Sequence, residues 1–110
     1  YDVFGYTADI GIDLNTVTRD KESVYANVIC SNNSPEDKRI IQISAVFTED
    51  NRPVSFSAEY KSISANQTQS SDIKLNLPEI NEKNMYLKVY CIEPGRGNRL
   101  VSNSKRFIIN

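Results

Sequence analysis

Residues 24–30 read Val-Tyr-Ala-Asn-Val-Ile-Cys, and residues 85–91 read Met-Tyr-Leu-Lys-Val-Tyr-Cys. Apolar side chains take alternate positions in both stretches, which is typical of β-strands because successive side chains point to opposite faces of a sheet. Cys30 lies on the apolar phase of the first stretch and Cys91 on that of the second. The two stretches therefore predict two strands that share one core, with both thiols inside it.

Alternation elsewhere in the chain predicts the remaining strands. They are expected at residues 6–14, 39–48, 54–60, 73–77 and 99–109. Clusters of Ser, Asn, Asp, Gly and Pro predict turns or loops at residues 31–37, 49–53 and 93–98. The polar residues 62–71 are expected to form a loop or a short edge strand.

Two of the predicted strands carry a strong apolar phase, which we expect to face the core. On the strand at 39–48 the expected inward residues are Ile41, Ile43, Ala45 and Phe47. On the strand at 54–60, the apolar phase consists of Val54, Phe56, Ala58 and Tyr60, and the polar phase is expected to be exposed.

The number and spacing of these strands indicate the fold class. Six or seven strands joined by short turns predict an all-β protein, an antiparallel Ig-like β-sandwich of about seven strands. The nearest helical candidate, residues 77–87, carries Pro78 near its start and permits at most one helical turn. A length of 110 residues suits a single core, so residues 1–110 are expected to form one domain.

Composition excludes several classes of function. A net charge of −1 and a pI near 5.4 provide no basic field, so we expect no nucleic-acid partner. The longest apolar runs are strand-sized, and we expect no membrane insertion. The chain contains no histidine, the commonest general base and metal ligand, so we expect no enzyme activity, no cofactor and no metal.

Four carboxylates in predicted loops are candidate calcium ligands. They are Asp20, Glu22, Glu36 and Asp37. Carboxylate oxygens suit calcium, but isolated acidic residues in turns are more commonly solvated charges, and the latter interpretation is favoured.

The two cysteines permit two interpretations. A disulfide between Cys30 and Cys91 would join the two sheets, and loop closure would stabilise the fold by roughly 4 kcal/mol. Alternatively, both remain reduced and pack as small apolar side chains. Two features of immunoglobulin domains are missing, because the chain has no tryptophan and Val89 occupies the position of the tyrosine-corner residue.

From Ser31 to Phe107 the order of features resembles the Ig-like or fibronectin-III-like accessory domains of secreted or surface multidomain Gram-positive bacterial proteins, many of them glycoside hydrolases. The stretches that carry the resemblance are 31–34 (SNNS), 43–47 (ISAVF), 51–54 (NRPV), 63–68 (ISANQT), 73–78 (IKLNLP) and 87–91 (LKVYC). The resemblance implies a non-catalytic accessory, structural or interaction module, located outside the cell or on its surface. Its partners would be the neighbouring domains of a larger chain.

One strand face is a candidate binding surface. Tyr86, Lys88 and Tyr90 share the phase opposite the apolar residues of their strand, so two aromatic rings and an ammonium are expected to line its outer face. Such a face suits a protein or glycan ligand and would make the domain a carbohydrate- or protein-binding adhesin module. The alternative is that these residues are ordinary cross-strand pairs of high β-propensity.

Overall fold

This computed structural model describes residues 9–77, 84–94, 99–100, 102 and 105–109. These residues contain eight β-strands. The strands are β1 Ile10–Arg19, β2 Ser23–Asn32, β3 Lys38–Thr48, β4 Pro53–Ile63, β5 Thr68–Asn76, β6 Met85–Glu93, β7 Arg99–Leu100 and β8 Lys105–Ile109. Within these residues there is no helix long and apolar enough to cross a bilayer.

The strands form two antiparallel sheets packed face to face. The three-stranded sheet has the order β1-β2-β5, and the five-stranded sheet has the order β4-β3-β6, with β7 and β8 both pairing with β6. An isolated parallel bridge between Ile10 and Ser102 links the start of β1 to the segment between β7 and β8. The predicted antiparallel β-sandwich is confirmed.

The core lies between the sheets, and both cysteines are in it. Cys30 lies on the inward phase of β2 and Cys91 on that of β6, and neither side chain is exposed. The fully buried large apolar side chains around them are Ile10, Val24, Val28, Ile40, Val46, Ile63, Leu87 and Val89. The placement of both thiols in one core is therefore as the alternation predicts.

The inward phase predicted for β3 is wrong. The buried phase contains Ile40, Gln42, Ser44, Val46 and Thr48. The register with β6 sets this phase, because Gln42 lies opposite Cys91 and Val46 lies opposite Leu87. Ile41, Ile43, Ala45 and Phe47 instead belong to the outward phase of the sheet, where Ala45 is nevertheless buried.

The orientation predicted for β4 is also reversed. Phe56 and Tyr60 point outward, while Lys61 is buried with its ammonium beside the Ser71 hydroxyl and 3.9 Å from Glu59 Oε1. A register irregularity between Val46 and Phe47 lets Val54 pack on the core although Phe56 does not. An inward-pointing charge on an edge strand discourages pairing with further strands, which accounts for a lysine at this position.

Strand boundaries differ from the sequence prediction in several places. The segment 62–71, expected as a loop or short edge strand, contains a turn at Ala65-Asn66 and the first half of β5. The single strand expected at 99–109 is divided into β7 and β8. Asn51 and Asn66 adopt positive φ angles of 68° and 60°, as asparagine tolerates in tight turns. The start of the strand predicted at 6–14, and most of the turn at 93–98, lie outside the described residues.

Candidate functional site

The outward side of the five-stranded sheet carries most of the exposed large apolar side chains of the described chain. We call this surface the aromatic face. Its members are Arg39, Ile41, Ile43, Ala45, Phe47, Phe56, Ala58, Tyr60, Tyr86, Lys88, Tyr90, Arg106 and Ile108. Cross-strand register arranges them in rows, one of which runs from Phe56 through Ala45 and Lys88 to Arg106.

Tyr86 is the residue of the aromatic face that is held by the most contacts among the described residues: a ring stack, a cation–π contact and a hydrogen bond. Its ring stacks on Phe47 with centroids 5.2 Å apart, and the Arg106 guanidinium lies 3.9 Å from its centroid. Its hydroxyl donates a 2.6 Å hydrogen bond to Asn51 Oδ1 in the β3–β4 turn. Only 9% of Tyr86 is exposed, so its ring is not a free platform for a sugar.

Lys88 and Tyr90 lie on the same outward side and are half-buried. The Lys88 ammonium is 5.5 Å from the centroid of the Tyr90 ring, a cation–π distance. The structure thus places all three predicted residues on one face of β6, with Tyr86 already covered. Their role in binding stays a prediction.

The most exposed aromatic residues are ones that the sequence interpretation assigned to the core. Phe56 is 63% exposed and Tyr60 is 78% exposed, and Ile108 at the other side of the sheet is 62% exposed. Alternation along β4 reveals two faces but not which of them meets the core. No signal in this strand by itself would have identified Phe56 and Tyr60 as surface residues.

Charge on the aromatic face has a single sign. The outward strand positions that the structure describes contain the cations Arg39, Lys88 and Arg106 and no carboxylate. The ion pairs found in the described part of the chain use other cations, Lys38, Arg52 and Lys61. The strand positions of the face therefore combine apolar area with positive charge.

A cavity of about 240 Å³ lies at one end of the aromatic face. It is lined by Glu49, Asn84, Met85, Tyr86, Arg106 and Ile108. Asn84 Nδ2 donates a 3.3 Å hydrogen bond to Glu49 Oε2 at its rim. A cavity of this size could receive one side chain of a partner.

The outer face of the three-stranded sheet has the opposite character. Asn27 Nδ2 donates to Asp72 Oδ1 at 2.8 Å and to Ser70 Oγ at 3.0 Å, which ties β2 to β5 through exposed side chains. The Thr68 hydroxyl donates to Ser31 Oγ at 3.1 Å in the same sheet. This polar face satisfies its own hydrogen bonds and is suited to contact with water.

Cys30 and Cys91 are free thiols in the structure. The Cys30 thiol donates a 3.0 Å hydrogen bond to Gln42 Oε1. A hydrogen bond between the two thiols lowers the pKa of Cys30 and raises the pKa of Cys91, and burial raises the pKa of Cys91 further. Whether the pair forms a disulfide stays a prediction at this point.

The carboxylates considered as calcium ligands include turn caps. Asp20 Oδ1 accepts hydrogen bonds from the backbone N–H groups of Glu22 and Ser23, both at 2.8 Å, and these bonds lower its pKa. Asp37 Oδ1 accepts a 2.9 Å bond from the N–H of Ala65. Among the residues that the structure describes, no three metal-ligating side chains are grouped together.

No protein-family model and no curated protein matches the chain. Solved structures of larger enzymes resemble it in fold. A β-glucuronidase from glycoside hydrolase family 2 matches with a TM-score of 0.70 at 14% identity, covering 91% of this chain and 11% of that chain. A glycosyl hydrolase family 2 member from Bacteroides cellulosilyticus DSM 14838 gives a TM-score of 0.72 at 11% identity, covering 94% and 16%.

A β-glucosidase from Kluyveromyces marxianus also resembles the chain, with a TM-score of 0.59, 12% identity and coverage of 94% of this chain and 14% of that chain. At such identities the likeness concerns the fold alone. The chain thus spans between 11% and 16% of the length of these three solved chains.

Proposed function

We propose that this chain is a non-catalytic accessory module of a larger glycoside hydrolase polypeptide, and that its aromatic face docks on a neighbouring domain of that polypeptide. The observation that carries the proposal is the exposure of Phe56 and Tyr60, whose cross-strand partners on the same sheet surface are Ala45 and Ile41. Contiguous exposed apolar area of this kind marks protein interaction sites. The fold likeness to small portions of family 2 enzymes supports placing the module within a longer chain.

Charge indicates what the docking partner offers. Arg39, Lys88 and Arg106 on the aromatic face have no carboxylate among the described outward positions to neutralise them. A partner surface that carries Asp or Glu opposite Lys88 and Arg106, around an apolar centre, would complement them. The other outer face offers no comparable apolar area, because it is covered with hydrogen-bonded polar side chains.

The geometry of Tyr86 favours docking over glycan binding. A sugar that stacks on an aromatic ring needs one open face of that ring, and the Tyr86 ring, which contacts Phe47 and Arg106, is almost fully buried. A protein partner instead needs a rigid surface, which this stacking provides. The extracellular location implied by the sequence resemblance is part of the proposal and stays a prediction.

Hydroxyl-radical footprinting tests the docking directly. Phe56 and Tyr60 should be oxidised readily in the isolated 110-residue chain and protected at least about tenfold in the full polypeptide that contains it, because docking removes them from water. Tyr25, which is 39% exposed on the opposite face, is the internal control and should react equally in both. Equal labelling of Phe56 and Tyr60 in the two samples would refute the docking proposal.

A glycan array with the isolated chain tests the adhesin alternative. We expect no reproducible glycan signal from the aromatic face. Reproducible binding that is lost in Tyr90→Ala but kept in Tyr25→Ala would favour the adhesin function and contradict the docking proposal.

A further inference from the structure

The buried cysteine pair has a third member, Gln42. Cys30 is on β2 of the three-stranded sheet, and its thiol donates to Gln42 Oε1 on β3 of the five-stranded sheet. Gln42 is the direct cross-strand partner of Cys91. Directly opposed residues in an antiparallel pair have Cβ atoms about 4.5–5.5 Å apart. Cys30 therefore lies across the sandwich from the Gln42–Cys91 pair, with both thiols unexposed.

We propose that Cys30 and Cys91 form a reversible inter-sheet disulfide, and that Gln42 holds the pair in its reduced state. The oxidant is a low-molecular-weight disulfide of the glutathione class. The Cys30 thiolate attacks one sulfur of that disulfide and releases one thiol, which leaves a mixed disulfide on Cys30. Cys91 then loses its proton, attacks the Cys30 sulfur and releases the second thiol. Two electrons and two protons pass from the protein to the glutathione disulfide.

The order of attack follows from the surroundings of the two sulfurs. The hydrogen bond from Cys91, together with the positive charge of Lys61, lowers the pKa of Cys30. Thiolate is the nucleophile in disulfide exchange, so Cys30 is the residue that reacts first. Because both thiols are buried, the oxidant reaches Cys30 only when the sandwich opens locally while the two thiols are still in contact, and the folded reduced chain reacts slowly.

Gln42 opposes the oxidation because a disulfide has no S–H to donate. In the described part of the chain, the Cys30 thiol is the one hydrogen-bond partner of the Gln42 side chain, and Gln42 is 1% exposed. Oxidation leaves this buried carbonyl oxygen without a donor, which is costly in a dry core. The bridge is therefore easier to reduce than a structural disulfide in an apolar setting.

Refolding in defined redox buffers tests the proposal. The reduced, unfolded 110-residue chain is refolded in buffers of varied ratio of reduced to oxidised glutathione, quenched in acid, denatured, alkylated with iodoacetamide and weighed by intact mass spectrometry. We expect a species without alkyl groups or glutathione to grow with the oxidised fraction. Cys30→Ala and Cys91→Ala should each abolish it. Two alkylated thiols or only glutathione adducts at every ratio would overturn the proposal.

Two variants on β3 isolate the role of Gln42. Gln42→Met keeps the side-chain size and removes the acceptor, and should raise the ratio of bridged to reduced chain roughly tenfold at a fixed buffer ratio. Ser44→Ala, the next inward polar position of the same strand, is the matched control and should leave the ratio unchanged. Equal ratios in Gln42→Met and the unmodified chain would reject the role of Gln42. The unmodified chain tests the bridge even where a variant fails to fold.

Discussion

The two outer faces of the sandwich cover the same core but differ in how they meet solvent. The three-stranded sheet presents Asn27, Ser70 and Asp72, which bond to one another across strands. The five-stranded sheet presents Phe56 and Tyr60, which are mostly exposed. A polar face that satisfies its own hydrogen bonds is stable in contact with water. Covering exposed aromatic area with another surface instead lowers the free energy. Under the docking proposal, the five-stranded sheet is therefore the side that meets the partner.

The largest expected effect is on the free energy of unfolding, and it distinguishes a core residue from a residue of the aromatic face. Leu87 points inward from β6 and is fully buried, and its neighbour Lys88 points outward. Leu87→Ala should lower the free energy of unfolding by about 2–5 kcal/mol, because it removes apolar contacts and leaves a cavity. Lys88→Ala should change it by no more than about 0.5 kcal/mol. Urea unfolding of the isolated chain measures both, and similar losses would mean that the outward side also belongs to a core.

The next effect compares one tyrosine hydroxyl from each face. Tyr86→Phe removes the partly buried 2.6 Å hydrogen bond to Asn51 and should lower the free energy of unfolding by about 1 kcal/mol. Tyr25→Phe removes a 3.1 Å bond to the exposed Asp20, and the change should stay within about 0.5 kcal/mol. Thermal and urea unfolding of the two variants provide the comparison. A larger loss for Tyr25→Phe would contradict the claim that the Tyr86 hydroxyl makes the more stabilising hydrogen bond.

A smaller effect on stability should accompany a clear effect on association. Phe56→Ser with Tyr60→Ser replaces two exposed rings, so each change should alter the folding free energy by only about 0.5 kcal/mol. Because exposed apolar patches promote association, sedimentation at rising concentration should show less self-association in the double variant than in the unmodified chain. Tyr25→Ser is the control from the polar face. An association profile that only Tyr25→Ser changes would exchange the roles of the two faces.

The smallest effect concerns pH and the first hairpin of each sheet. Backbone bonds from Glu22 and Ser23 hold the pKa of Asp20 below its ordinary value of 3.8, and the Thr48 hydroxyl and Arg52 do the same for the pKa of Asp50. A carboxylate whose pKa is lower in the folded chain stabilises it above its unfolded pKa and loses that contribution as pH falls through the folded value.

Stability should therefore decline slightly as the pH drops below about 4. Asp20→Asn and Asp50→Asn should each flatten the decline. Urea midpoints measured between about pH 5 and pH 2 check this. A midpoint that rises on acidification would contradict the capping roles of Asp20 and Asp50.

Sequence alone predicts the strands of this fold better than their orientation. The pairing of Cys30 and Cys91 in one core followed from alternation in two strongly patterned strands. On β3 the same reasoning failed, because the inward phase contains Gln42 and Ser44 while the outward phase contains Ile43 and Phe47. Period-two alternation indicates that a strand has two different faces, but not which of them meets the core. A surface that binds another protein can be as apolar as a core, and the pattern does not distinguish them.

The candidate site was predictable only in part for the same reason. Tyr86, Lys88 and Tyr90 were identified from their phase on β6, whose inward side is uniformly apolar. Phe56 and Tyr60 were not, because the orientation of β4 depends on its register with β3 and on the irregularity at Val46/Phe47. The cationic character of the face likewise requires the cross-strand row that brings Arg106 beside Lys88.

The parallel bridge between Ile10 and Ser102 has a mechanical consequence. It joins residues near opposite ends of the described chain, and Ser102 Oγ also accepts a 2.7 Å hydrogen bond from the N–H of Cys91 in β6. Tension applied between those ends would pull the two bridged segments in opposite directions along their length. A parallel bridge pulled in this way is loaded in shear. The bridge therefore resists separation of the two ends together with the pairing of β8 and β6.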